Sequence, residues 1–381
     1  MRLRRLKYLI IYLGLILISN SCIAGLNKTV VDKNIQPLRL EQRGAWVRPP
    51  SDEKEIAKIL DDLTTARFNM AFVETFYHGF TIYPSDIFPQ RPEFKGKDIL
   101  QLFITEAKKR NIEVHAWLEV LYWRPTPDTN FPQTPILNNH PDWLDLSMFE
   151  TTTDGFEGKH YLVNPAVPGV RQKINGLVSE LCRKYQIDGI NLDYIRYAAG
   201  NTQFGYNQYA LNKFISIYGY NPQSINPQKD TAKWMEWSKF REQQVTELVQ
   251  QISDEIKRTK KPVKLSAAVF PDYYKNRYQD SRLQDWAIWC EKGYLDFLTP
   301  MCYSYSLEGI KDEIGISKAN AAKVSVYPGL TVLAGTQHPE LAQQIQVTRD
   351  AGCTGQVVFC YSWLTAFPNI FQDLGTGIYA K

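Results

Sequence analysis

The sequence predicts an α/β protein of the TIM-barrel type, a (β/α)8 barrel with long insertions after strands 3 and 4. Three observations lead there. Eight short apolar runs alternate with eight helix-like runs, which implies a parallel sheet with right-handed crossovers, and a count of eight favours closure over an open sheet. Neither a GxGxxG after the first strand nor a Walker-type loop is present, so the nucleotide-binding α/β folds lose their best support. The length beyond eight minimal units falls after two strands, at the end of a barrel where loops carry function.

The units follow in order. Strand 43–48 leads to helix 53–67, strand 69–77 to helix 98–110, and strand 113–122, after the insertion 123–168, to helix 169–185. Strand 189–197 reaches helix 232–260 through the insertion 198–231, and strand 264–270 is followed by helix 281–291. The last three strands, 297–303, 324–333 and 355–362, precede helices 307–323, 339–351 and 365–374. Each strand run is bounded by Gly, Pro or polar residues, as strands buried on both faces are. Prolines 125, 127, 132, 135 and 141 mark the first insertion as irregular but ordered.

The 381 residues are 44% hydrophobic and 22% charged, an ordinary globular composition that excludes a disordered chain and a small disulfide scaffold. The formal charge of +4 needs dividing. Arg2, Arg4, Arg5 and Lys7 precede an apolar run at 8–18 and the small residues Ser19, Ser21, Ala24 and Gly25, the pattern of an export signal. Of the 44 basic residues those four fall there with no acidic one, which leaves 40 against 40. Zero net charge speaks against a nucleic-acid partner. The expected organisation is a signal at 1–24, a linker at 25–42 and the barrel at 43–375, in an exported, periplasmic, envelope-associated or extracellular protein. Cys22 follows a small residue where bacterial lipoproteins are modified, so membrane anchoring through Cys22 lipidation is a second expectation. The five later cysteines show no CxxC, and their odd number argues against a complete disulfide framework.

Chemistry in this fold belongs at the C-terminal ends of strands. Carboxylates there are Glu74 in NMAFVETFY, Glu119 in VHAWLEV, Asp193 in DGINLDYIRY and Asp272 in VFPDYY. A carboxylate inside an apolar run is costly unless paired, hydrogen-bonded or functional. Alternation puts Asn191 and Asp193 on one face of strand 4, with Arg196 able to hold the carboxylate ionised. His115, Trp117 and Glu119 share a face of strand 3, and Glu74 shares one with Met70 and Phe72. The expected catalytic set is Asp193 with Glu119 or Glu74, and Arg48, His115 and Arg196 orient the site. A buried ion pair tying strand to loop is the alternative for each carboxylate. Trp46, Trp117, Tyr194, Tyr303, Tyr361 and Trp363 lie in or just past strands, with Tyr273 and Tyr274 beyond strand 5. Aromatic faces there suit sugar rings, which makes an oligosaccharide or polysaccharide the expected partner. The five histidines have no HxxxH or HxH spacing and GxSxG is absent, so neither a metal, a cofactor nor a serine triad is expected.

At RGAWVRPP, HAWLEV, HPDWL, YLVNPAVPGVRQ, DGINLDYIRY and DFLTPMCYS the chain resembles the glycosyl hydrolase-like family 10 group, bacterial (β/α)8 proteins. The resemblance runs from Arg43 to Trp363 and implies carbohydrate hydrolysis outside the cytoplasm, with cell-wall glycan as a substrate class. It carries Asp193 onto the family's strand-4 motif. Relatives often have Asn–Pro where this chain has Leu118–Glu119, Gln near Glu74, and a second Asp where Tyr194 stands. The reading is therefore an exported glycoside hydrolase, with a non-catalytic glycan-binding barrel as the alternative.

Overall fold

The structure is a computed structural model that describes residues 41–124, 132–149, 151–152, 161–200, 203–272, 281–332, 335 and 339–380. The export-signal residues with Cys22, and Tyr273 and Tyr274, lie outside these. Eight parallel strands form the barrel: β1 (Gln42–Val47), β2 (Met70–Tyr77), β3 (Glu113–Glu119), β4 (Gly189–Asp193), β5 (Lys264–Val269), β6 (Phe297–Pro300), β7 in two pieces (Ser325–Val326 and Gly329–Thr331) and β8 (Gly355–Phe359). Neighbours in sequence are neighbours in the sheet, and β8 returns to β1 with Arg43 opposite Gln356.

Closure depends on the divided β7. Its first piece pairs with β6 and its second with β8. Between them Tyr327 donates its N–H to the Leu298 carbonyl, while the Pro328 carbonyl accepts from Val357. Pro328 has no N–H of its own to offer, so the strand changes partners at the residue that interrupts the ladder. Beyond it, Met301 of the β6 side bridges to Gly329, which brings the two ends of the sheet together.

Helices α1 (Glu53–Thr65), α2 (Ile99–Lys108), α3 (Pro168–Lys184), α4 (Thr231–Thr259), α5 (Trp286–Glu291), α6 (Leu307–Asn320) and α7 (Leu341–Asp350) follow the first seven strands, and two short helices (Tyr361–Leu364 and Ile370–Thr376) follow β8. In α1 the Asp52 carboxylate caps the Lys54 and Glu55 amides, and Ile56, Ile59, Leu60 and Leu63 form the buried stripe. No helix among the described residues is long and apolar enough to cross a membrane.

Alternation along the strands makes two cores. Outward residues such as Val47, Val73, Leu118, Ile190, Ala267 and Leu298 join the large cluster under the helices. Inward residues, among them Trp46, Phe72, Trp117, Phe297, Tyr327 and Val357, fill the barrel. Asn191 holds that interior together. Its Oδ1 accepts from Trp46 Nε1 at 3.2 Å, and its Nδ2 donates to Ser266 Oγ at 2.9 Å and Thr299 Oγ1 at 3.2 Å.

At the N-terminal end Tyr379 sews the first strand to the last. Its carbonyl accepts from Arg43 at 3.1 Å, its hydroxyl accepts from Gln356 Nε2 at 2.7 Å, and its ring meets Phe68 edge-on.

The insertions form the walls. The first carries a small antiparallel pair, Tyr122–Arg124 with Tyr161–Leu162, and the second a helix at Gln208–Tyr218. The buried Asp145 joins them: its Oδ1 accepts from Leu146 N, Asn164 Nδ2 at 2.7 Å and Gly205 N at 3.1 Å. Among the described residues its Oδ2 has no hydrogen-bond partner, and burial pushes this carboxyl up to about 7 against the pull of those donors.

Candidate active site

Glu74, Glu119 and Asp193 gather inside the C-terminal mouth of the barrel. The cause is register: Glu119 stands directly opposite Asp193 across β3 and β4, and Glu74 stands opposite Trp117 across β2 and β3. The period of two then places all three side chains on the inner face.

Their surroundings differ. Asp193 accepts at both oxygens, from the Tyr194 amide at 2.7 Å and from Trp117 Nε1 at 3.0 Å. The first closes a short ring between the carboxylate and the next amide in the chain, and directly after it the backbone turns at Tyr194, whose φ is 47°. Burial raises the Asp193 carboxyl, and Tyr194, Arg196, Trp117 and Arg48 pull it down. Glu119 is only 5% exposed, and among the described residues its Oε2 has no hydrogen-bond partner. Burial first, then the charges of Glu74 and Asp193, hold its carboxyl well above the usual carboxylate range. Glu74 is raised as well, by burial, against the attraction of Arg48. The arrangement pairs one carboxylate furnished with donors with one acid deprived of them.

Arg48 follows β1 and reaches the mouth, where its Nε donates to Glu74 Oε1 at 3.2 Å and its guanidinium carbon lies 5.6 Å from the ring centres of both Trp117 and Phe359. Arg196 is buried with its guanidinium over the rings of Tyr194 at 4.7 Å and Phe270 at 5.1 Å. Tyr303, close enough to Asp193 for that charge to help keep its phenol protonated, lies 6.0 Å from Phe359, and Trp363 meets Phe359 edge-on at 5.1 Å.

Four of the expected residues stand apart from the carboxylates. His115 is fully buried one step below Trp117, stacked on Phe72 and bonded through Nε2 to Glu113 at 3.2 Å, because the Gly189 Cα leaves it that space. Trp46 is a packed interior residue bound to Asn191. Tyr361 turns outward, with its hydroxyl on Asp62 and its ring on Phe371. Asp272 is exposed and paired with Arg282 at 3.0 Å. These positions differ from the substrate-contacting places expected for them. Sequence reasoning also missed Arg91 and Phe359. Arg91 sits on the loop after β2, 1% exposed, over the Tyr77 ring at 4.0 Å, and its charge reaches both Glu74 and Glu119. Phe359 was legible by parity with Val357, but its place under Arg48 depends on closure of β8 against β1.

A cavity of about 640 Å³ lined by Ile104, Ile112, Val114, Ile187 and Val263 opens at the opposite, N-terminal end. Active sites in this architecture lie at the other face, which makes the carboxylates the candidate site. Among the described residues no group of three or more His, Cys, Asp or Glu is placed to hold a metal ion.

Residues 32–350 match a family described as glycosyl hydrolase-like 10. Glycosyl hydrolase DigH of Escherichia coli K12 is 25% identical over 276 residues, 64% of this chain and 56% of that protein. Glycosyl hydrolase YngK of Bacillus subtilis 168 is 24% identical over 280 residues, 66% of this chain and 49% of that one. The chain thus spans about half the length of these curated relatives. Among solved structures, the PgaB (BpsB) glycoside hydrolase domain of Bordetella bronchiseptica superposes with a TM-score of 0.69 at 13% identity, over 88% of this chain and 98% of that one. The catalytic domain of Paenibacillus polymyxa β-amylase does so at 0.64 and 12%, over 89% and 98%. Both likenesses speak to the fold, and the barrel expected from the alternation is the one observed.

Proposed function

Because the chain belongs to the glycosyl hydrolase-like 10 family, we propose that it is a glycoside hydrolase in which Asp193 and Glu119 cleave a polysaccharide. One observation carries the reading: directly opposed residues on adjacent strands, one carboxylate accepting two N–H donors and the other buried with an oxygen that has none among the described residues. Glycosidases need that asymmetry, an ionised carboxylate facing the anomeric centre and a protonated acid at the leaving oxygen. Paired Cα atoms on adjacent strands lie roughly 4.8 Å apart. That spacing supports a short carboxyl separation, of the kind used in double displacement at roughly 5–5.5 Å.

In such a reaction Asp193 attacks the anomeric carbon while the Glu119 proton passes to the departing oxygen. Glu119, now a carboxylate, takes a proton from water, and the resulting hydroxide oxygen displaces Asp193 to restore both groups. Glu74, bonded to Arg48, stands as a third carboxyl beside the pair, opposite Trp117 on the neighbouring strand. The aromatic rings of Trp117, Phe359, Tyr303 and Trp363 offer apolar faces to sugars.

The proposal includes export, which rests on the basic and then apolar residues at 2–18, and a glycan of the envelope or its surroundings as substrate. The test is incubation of purified protein with peptidoglycan strands and a panel of polysaccharides while reducing ends are followed. Release that exceeds that of Asp193→Asn supports the reading. No such excess on any polymer overturns it, and binding without cleavage would leave the glycan-binding barrel.

A further inference from the structure

Resting on the glycosidase reading, we propose that Arg48 recognises a carboxylate on the glycan, so that the cleft favours an acidic polysaccharide over a neutral one. The geometry around Arg48 goes beyond what an ion pair with Glu74 requires. A guanidinium serving only to neutralise a carboxylate commonly engages it with two parallel N–H bonds. Arg349 does this elsewhere in the protein, donating from Nε and Nη2 to the two oxygens of Glu41 at 2.9 and 2.8 Å. Arg48 instead gives Glu74 a single bond from Nε at 3.2 Å. Among the described residues its Nη1 and Nη2 have no hydrogen-bond partner, and its side chain is 48% exposed while that of Glu74 is 4% exposed.

The unused edge is held in place. The Nε bond fixes one side of the guanidinium plane, the rings of Trp117 and Phe359 lie near it, and Pro49–Pro50 follow in the chain, restricting the backbone behind it. Two parallel N–H groups on a fixed plane match the two oxygens of a carboxylate, and a guanidinium beside aromatic rings sheds water at lower cost than an ammonium would. Charge points the same way. Burial holds Glu74 and Glu119 toward their neutral forms, so they offset less of the Arg48 charge than three carboxylates in water would. A sugar carrying a uronate or an ether-linked acid would meet net attraction on the Arg48 side of the mouth.

The experiment measures binding without turnover. The full chain carrying Asp193→Asn is run by affinity electrophoresis through gels containing polygalacturonate, hyaluronan or peptide-stripped peptidoglycan strands, each beside its carboxyl-reduced counterpart. At least one acidic polymer is expected to bind about tenfold more tightly than its reduced form, the worth of one charge-assisted bond. That preference should disappear with Arg48→Met added and survive in part with Arg48→Lys, whose retained charge separates lost recognition from lost folding. Equal binding of every acidic polymer and its reduced form, no binding of any, or a preference untouched by Arg48→Met overturns the proposal. Cleavage of a neutral glycan by the unmodified protein with no acid preference would sink this inference alone. Acid preference without cleavage would sink the hydrolase reading alone.

Discussion

The indole N–H of Trp117 donates to Asp193 Oδ2 at 3.0 Å across two adjacent strands, so an aromatic side chain of the barrel interior is one of the groups that favour the charged form of a carboxylate at its mouth. A donor to the ionised form lowers a carboxyl pKa, and its removal raises it. Trp117→Phe keeps most of the ring and loses the donor. The acid limb of the pH–rate profile should therefore move up by about one unit, with a roughly tenfold loss of kcat/KM below it. An acid limb that stays where it was would show that Asp193 does not govern it.

In the proposed reaction Glu119 acts as the acid and is needed protonated, so activity should fall as pH rises through its elevated pKa. Glu119→Gln should abolish that alkaline limb and lower cleavage of natural glycans by about 10²–10⁴-fold. Aryl glycosides with acidic leaving groups, which need no protonation, should lose far less. Proton NMR of the first product from the unmodified protein should show the anomeric configuration of the substrate.

Asn191 bonds Trp46, Ser266 and Thr299 within the barrel. Asn191→Ala leaves a cavity and orphans Trp46 Nε1, and it should cost about 2–4 kcal/mol by urea denaturation. A loss under about 0.5 kcal/mol would mean that the interior closes around the gap.

Asp145 has a folded-state pKa raised to about 7, against about 3.9 unfolded. Between those values the folded protein binds the extra proton, so stability is greatest below about pH 4, declines as pH rises to about 7 and is level beyond. The unfolding free energy of the unmodified protein relative to that of Asp145→Asn, from urea denaturation at each pH, should follow that course, spanning on the order of 4 kcal/mol. A difference independent of pH would place the Asp145 proton elsewhere.

Much of this fold was legible because the barrel depends on simple periods. The alternation of runs predicts the eight units, and parity predicts that Met70, Phe72 and Glu74, or His115, Trp117 and Glu119, share an inner face. Depth was not legible: parity treats His115 and Glu119 alike, although His115 lies deep in the barrel in the space left at Gly189 and Glu119 ends β3 at the mouth. Nor was the end of β4, expected at Tyr197 and found at Asp193, since the turn at Tyr194 is a left-handed conformation that non-glycine residues seldom adopt. Arg91 escaped because a loop brings it over Tyr77 from outside any periodic element.

The clamp of Tyr379 on Arg43 joins residues 336 positions apart in sequence. Strand β1 lacks one of its two partners until β8 and this clamp arrive, so the barrel can close only after nearly the whole described chain has been made. Contacts of such long sequence separation fold slowly. The first strand must wait with an open edge, and for that interval the chain is a substrate for whatever machinery handles unfolded protein.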